Sequence, residues 1–212
     1  MSIALGRRLG LSGGDALLVV DVQRDFLPGG HLPVERADEV IAPLNAYLAT
    51  FHARGLPIFM TRDWHPADHC SFHGAGGRWP AHCVQGTDGV RWPAALRIPN
   101  NAHVVSKGTE PGVEALSAFC GTSLASLLSN LHVERLFVGG LATDYCVQAT
   151  VLDALAQQLR VVVLGDAIRG VNARPGDAER ALEAMIKSGA SLRERPKAGR
   201  TRFAEPGTTL GR

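Results

Sequence analysis

The chain has 212 residues, enough for one sizeable domain, with 22 Lys and Arg against 20 Asp and Glu and an apolar content of 45%. No apolar run approaches the ~18 residues of a membrane-spanning helix, since Ala16 to Val20 stops at Asp21 and Leu136 to Leu141 stops at Thr143. With 6% aromatic residues and no basic stretch interleaved with them, the chain does not read as a nucleic-acid binder.

At the N-terminus, Arg7-Arg8 resembles the start of an export signal. The apolar stretch behind it is broken by Gly13, Gly14 and Asp15 and has no small-residue cleavage site. Residues 1–14 are therefore expected to be a mobile leader on a cytoplasmic protein, residues 15–194 a single domain, and residues 195–212 a basic tail. From Arg193 onward six basic residues face two acidic ones. The four cysteines (Cys70, Cys83, Cys120, Cys146) form no CxxC pair, and a domain of this size needs no disulfides to hold a core, so reduced thiols are expected.

Five short β-rich runs follow in chain order: Ala16 to Asp21, Leu56 to Asp63, His103 to Lys107, Arg135 to Gly140 and Arg160 to Asp166, with a weaker sixth from Gly189 to Arg193. The near-continuous Leu, Val and Ile content of the first, fourth and fifth predicts burial on both faces, as in a parallel sheet covered by helices. Between the first two runs, Val40, Ile41, Leu44, Leu48 and Phe51 repeat at helical spacing, with Gly55 at the position of a C-terminal cap. Pro43 requires that helix to begin shortly before it, because a proline deep inside costs about 3 kcal/mol. Further helices are predicted over Thr122 to Asn130, Thr143 to Gln157 and Pro175 to Ser188, the last with proline in its first turn. The alternation predicts an α/β fold.

The segment from Trp64 to Pro99 breaks the alternation. It holds all three tryptophans and four of the eight histidines, and loops of such length without periodicity are commonly functional or disordered. The second strand runs into it as Thr61-Arg62-Asp63-Trp64-His65. Asp63 and His65 alternate on an extended backbone and share one side, at the spacing of metal ligands. With His82 they offer a carboxylate and two imidazoles, a set suited to zinc, iron or manganese that leaves room for water or substrate. His69 and His73 are the weaker candidates, and the plainer reading is of surface histidines capping turns.

Cys146 sits where a buried strand turns into a helix, in Gly139-Gly140-Leu141-Ala142-Thr143-Asp144-Tyr145-Cys146. With Thr143 as N-cap, the thiol falls in the first turn, where free N–H groups and the helix dipole favour thiolate. The bland alternative is a small buried core residue. His132 and His103 precede their strands and so lie at the wrong edge of a parallel sheet to serve as its base. Asp21 and Lys107 end the first and third strands at the right edge, where open α/β sheets bind ligands. A carboxylate to take the thiol proton and a lysine to balance charge would supply nucleophilic chemistry, although each alone could be a cap or a solvated strand end.

These residues resemble the nicotinamidase (pyrazinamidase) branch of the isochorismatase-like cysteine hydrolases. The resemblance runs from about Ala16 to about Val171, through Val20-Asp21-Val22-Gln23-Arg24-Asp25-Phe26, Thr61-Arg62-Asp63-Trp64-His65-Pro66, Trp79-Pro80-Ala81-His82-Cys83-Val84, Ser106-Lys107-Gly108-Thr109 and Ala142-Thr143-Asp144-Tyr145-Cys146-Val147. It implies an isochorismatase-like, Rossmann-like three-layer sandwich around a mostly parallel sheet of about six strands. It also implies a triad of Asp21, Lys107 and Cys146 and one divalent ion, zinc first and iron or manganese after it, on Asp63, His65 and His82, with His69 assisting in some members. The implied reaction is deamidation of a small amide, nicotinamide to nicotinate and ammonia, in a homo-oligomer without nucleic acid or membrane partners. A cis peptide at Leu141-Ala142 and an oxyanion hole of the Ala142 and Cys146 N–H groups are implied as well, as is a substrate pocket of Phe26, Trp79, Leu141 and Tyr145.

The chain departs from the family pattern at Leu116, where an aromatic residue is common, and at Cys120 and Ser123, where acidic residues are. These departures touch substrate preference more than chemistry. A cysteine amidase for carbamoyl or aliphatic amides would keep Asp21, Lys107 and Cys146 without using the histidine loop. A nucleotide-binding module would need a glycine-rich turn after the first strand, and Asp21 to Phe26 is none.

Overall fold

The structure, a computed structural model, describes residues 5, 6 and 9–193. Six parallel strands form one sheet: β1 (Asp15–Val20), β2 (Ile58–Asp63), β3 (His103–Lys107), β4 (Arg135–Leu141), β5 (Arg160–Arg169) and β6 (Ser191–Arg193), in the order β3-β2-β1-β4-β5-β6. Four helices connect them: α1 (Ile41–Ala53), α2 (Leu124–Asn130), α3 (Gln148–Ala156) and α4 (Asp177–Lys187). The chain winds outward one way from β1 and the other way from β4, so the strand order reverses between these two central neighbours. A crevice opens at such a switch point beyond the carboxyl ends of the strands.

Burial follows the pleat. Every residue of β1 is buried, with Leu17 and Val19 packing toward Leu44, Tyr47, Leu48 and Phe51 of α1, and Ala16, Leu18 and Val20 toward Leu124, Leu128, Val151 and Met185 of the other three helices. This two-sided core is the physical reason for the continuous apolar runs in the sequence. Where β4 passes β1, Gly140 has φ +122°, and a Cβ there would lie 2.1 Å from the Val20 carbonyl oxygen. No other residue type fits that approach.

Pro43 is the third residue of α1, where its missing N–H costs nothing. The helix ends as Gly55 donates to the His52 carbonyl (3.0 Å) and Leu56 to the Phe51 carbonyl (3.0 Å), with Gly55 at φ +65°. Several boundaries shift by one or two residues from expectation, and three differences stand out. Strand β5 runs on to Arg169. Helix α4 begins at Asp177 after a left-handed Gly176, which leaves Pro175 outside it. Thr143 does not cap a helix: Ala142 holds the N-cap position without a side-chain bond, and Thr143–Val147 form one π-helical turn ahead of α3, with Val147 N–H reaching the Ala142 carbonyl at 3.1 Å.

In the segment taken as a leader, Leu9 joins the core, and the carbonyls of Gly10 and Leu11 accept bonds from Arg135 (2.7 Å) and Arg54 (3.0 Å). The basic tail of residues 195–212 lies outside the described residues. Among the described residues no helix is long and apolar enough to cross a membrane, and all four cysteines are free.

Candidate active site

Four neighbouring strands deliver one charged or nucleophilic group each to the same crevice. Asp21 directly follows β1 in a left-handed backbone conformation, with φ +47°. Thr61 of β2 holds it from the side: the hydroxyl donates to Asp21 Oδ1 at 2.6 Å and accepts from the Asp21 N–H at 3.1 Å. Asp63 and Lys107 are register partners at the ends of β2 and β3, so their side chains emerge together. Cys146 arrives from the π-helical turn after β4.

Lys107 is the hub. It is 1% exposed, and its Nζ lies 2.9 Å from Asp21 Oδ2, donates to Asp63 Oδ1 and to the Ala115 carbonyl (3.1 Å), and stands 3.4 Å from Cys146 Sγ. Oxygen atoms of Asp21 and Asp63 and Cys146 Sγ fall within 4.8 Å of one another. Desolvation alone would discharge Lys107, but the two carboxylates outweigh it and hold the ammonium well above the ordinary lysine range.

The carboxylates divide unequally. Burial lifts the Asp21 carboxyl above the usual range, the nearby Lys107 only partly opposing it. For Asp63 burial also pushes up, but Lys107 and His65 prevail and keep it ionised. Burial likewise raises the Cys146 thiol well above an ordinary cysteine, against the pull of Lys107. Burial and the neighbouring carboxylates thus oppose the thiolate that a helix terminus favours, and the thiol needs a base to take its proton.

Beside this cluster, one ligand atom each from Asp63, His65 and His82 fall within 4.8 Å of one another, all buried. The second ring nitrogens are committed: His65 Nδ1 faces the Gly108 carbonyl at 2.9 Å and His82 Nδ1 the Pro80 carbonyl at 2.8 Å. Carbonyl partners fix Nδ1 as the protonated nitrogen and leave each Nε2 lone pair free. Burial also lowers the pKa of His82 and favours neutral imidazole. A carboxylate oxygen and two imidazole nitrogens, buried and oriented, fit a divalent ion with open coordination positions. His69 is not gathered with them, since Ser71 Oγ (2.8 Å) and the Val113 carbonyl (3.1 Å) take both its ring nitrogens while it packs 4.1 Å from the His65 ring. His73 is exposed.

Supports that sequence reading left without a role lie close behind. Gln23 is fully buried, accepts from the Asp63 N–H (2.7 Å) and donates to the Asp63 carbonyl (2.8 Å). Asp25 accepts from the Cys83 N–H (2.7 Å) and so ties down the residue after His82. Both fall inside the Asp21-to-Phe26 run, and their polarity beside a buried strand was the only signal. Gly108 sits at φ +61°, where a Cβ would lie 2.4 Å from the His65 ring. Gly108→Ala is therefore expected to displace His65, and metal content after dialysis against zinc, measured by elemental analysis, should fall well below one ion per chain while the fold persists.

A cleft of about 460 Å³ opens onto Cys146, Asp63 and His82. All four expected pocket residues, Phe26, Trp79, Leu141 and Tyr145, line it with Ala142, and Leu32, Val34, Leu116 and Val171 complete the wall. Trp79 meets Tyr145 edge to face at 5.3 Å, and Phe26 lies 5.6 Å from His82. The Leu141-Ala142 peptide is cis, as expected. Such a cleft suits a flat, mostly apolar molecule with a few polar anchors.

Comparison with known proteins agrees. Residues 15–195 match the isochorismatase domain. The chain is 38% identical over 198 residues to the nicotinamidase of Escherichia coli K12, covering 84% of this chain and 93% of that protein. The pyrazinamidase of Pyrococcus horikoshii, solved in complex with zinc, superposes with a TM-score of 0.83 at 47% identity, over 86% of this chain and 99% of that one. PnC1 of L. infantum, solved in complex with nicotinate, gives 0.80 at 34% identity, over 87% and 94%.

Proposed function

The chain belongs to the isochorismatase-domain family, and from that premise we propose that it is an amidohydrolase converting nicotinamide to nicotinate and ammonia through an acyl-cysteine, with pyrazinamide accepted too. The observation that carries this reading is the cleft lined by Cys146 together with Asp63 and His82, two members of the Asp63–His65–His82 donor set. An amide carbon and a ring nitrogen of one flat substrate can be met there at once.

Asp21 acts as base and then as acid. Its carboxylate takes the Cys146 proton as Sγ bonds to the amide carbon, and the carbonyl oxygen gathers negative charge. Backbone N–H groups of Ala142 and Cys146 serve as donors to that oxygen, each worth roughly 2.7–4 kcal/mol of barrier. Asp21 passes its proton to the amide nitrogen, the C–N bond breaks and ammonia leaves. Water then attacks the thioester, giving a proton to Asp21 that returns to the sulfur as the C–S bond breaks. Lys107 keeps its proton and compensates both carboxylates. The metal, which we assign as zinc from the nitrogen-rich donor set and the zinc-bound pyrazinamidase relative, would supply a Lewis-acidic seat for the pyridine nitrogen. Phe26 and Trp79 flank the ring.

Because the base works ionised and burial lifts its pKa, the rate should fall on the acid side at a higher pH than an ordinary carboxylate near ~4 would give. A kcat/KM profile from pH 3 to 8 checks this, and an acid limb below pH 4 would overturn the raised Asp21 carboxyl. The function itself is tested by ammonia release from nicotinamide, with a chelator-treated sample alongside. Release that disappears on chelation and returns with zinc supports the proposal. No release from the metal-loaded protein rejects nicotinamide, and carbamoyl or aliphatic amides then become the substrates to assay.

A further inference from the structure

A second cleft, open to solvent, lies against the start of α4, lined by Arg78, Arg174, Arg180, Asp144, Asp177 and Tyr145 among others. Its two carboxylates are already engaged. Asp144 accepts from the N–H groups of Val171 and Asn172 (both 2.8 Å), and Asp177 from the Arg174 N–H (2.8 Å) and Arg180 Nη2 (2.6 Å). Arg180 is thereby paired. The Arg174 guanidinium is near enough to help hold the Asp177 carboxyl below its usual range, yet neither it nor that of Arg78 donates a hydrogen bond to any described residue. Arg78 rests 5.2 Å from the centre of the Trp79 ring.

We propose that this cleft binds a small phosphate-bearing anion between Arg78 and Arg174, and that its occupancy alters the aromatic rim of the substrate cleft. Guanidinium groups match tetrahedral oxyanions with paired, charge-assisted bonds, and three arginines against two committed carboxylates leave an excess positive charge. The cleft is open to solvent, so the organic part of a phosphomonoester can extend out of it. Coupling has a physical route: Tyr145 lines both clefts, and Trp79, under Arg78, meets Tyr145 edge to face.

Calorimetric titration of the intact protein with inorganic phosphate and with AMP, at ionic strength balanced by chloride, tests the site without depending on the assigned reaction. Saturable binding is expected, weakened at least about tenfold in Arg78→Gln/Arg174→Gln. Tighter binding of AMP identifies a phosphomonoester as the ligand, and equal affinities identify free phosphate. No saturable binding overturns the proposal, as does undiminished binding in the variant, the behaviour of phosphate attached to a metal ion. In nicotinamide turnover, saturating phosphate should shift KM several-fold with kcat held within about twofold in the parent and leave the variant unmoved. Binding with unchanged KM overturns the coupling.

Discussion

Cys146→Ala is expected to lower ammonia release from nicotinamide by at least about 10⁴-fold, because removing the nucleophile of a unit that acts together eliminates the covalent route altogether. The fold should survive. The side chain is small, 8% exposed and at the cleft wall, so its loss removes one sulfur from the surroundings of Lys107 without opening a large cavity. Cys146→Ser sharpens the test by keeping the shape while replacing the thiol with a hydroxyl that Asp21 is too weak a base to ionise. Initial rates, with circular dichroism to verify folding, decide the matter, and a variant within tenfold of the parent rate would remove Cys146 from the chemistry.

The second large effect is on stability. Lys107→Met would leave Asp21 and Asp63 facing each other in a buried site with no cation between them, a loss of about 3–5 kcal/mol for a broken buried pair. The sign with pH follows from linkage. In the parent, the lysine pKa is raised by folding, so its stabilising contribution is fully present below the unfolded lysine value near ~10.4 and is lost only as pH climbs through the higher folded value. In the variant the uncompensated carboxyls are raised above their unfolded values, so stability is retained in acid and lost as pH rises through those raised values. Urea unfolding with chelator present should therefore show a deficit that is small at pH 4.5 and large at pH 8. Adding Asp21→Asn to Lys107→Met should recover part of it. Equal deficits at both pH values would mean that lost packing, not unbalanced charge, is responsible.

Local chemistry made much of this protein legible in one dimension. The strands β1, β4 and β5 announced themselves because burial on both faces demands unbroken apolar runs, and Asp21 and Lys107 stood out as charges ending such runs. His65 beside Asp63 was readable because alternation along a strand end depends only on neighbours. His82 was readable as a more distant donor in the same histidine-rich loop, whereas the oxyanion donors and the pocket residues drew on resemblance, since nothing in local spacing joins them to one another.

What escaped reading depended on partners distant in sequence. Thr61 as the clamp on Asp21, Gln23 as the clamp on Asp63 and Gly108 as the floor under His65 are consequences of strand register across 40 or more residues. The π-helical turn displaced the expected Thr143 cap because Val147 reaches back to the Ala142 carbonyl at the mouth of the cleft. The sense of the Cys146 shift reversed for a related reason: a helix start favours thiolate in water, but burial beside two carboxylates favours the thiol, and burial is set by the whole fold. His69 fell away because its own loop and the Val113 carbonyl claim both nitrogens. By itself, then, the sequence determined which elements form and which chemical groups stand at the carboxyl edge of the sheet, because periodicity and residue type act locally. Only the tertiary structure decided which of those groups touch, which are dry and which protonation state each prefers, because contact and desolvation belong to the assembled sheet and not to any one segment.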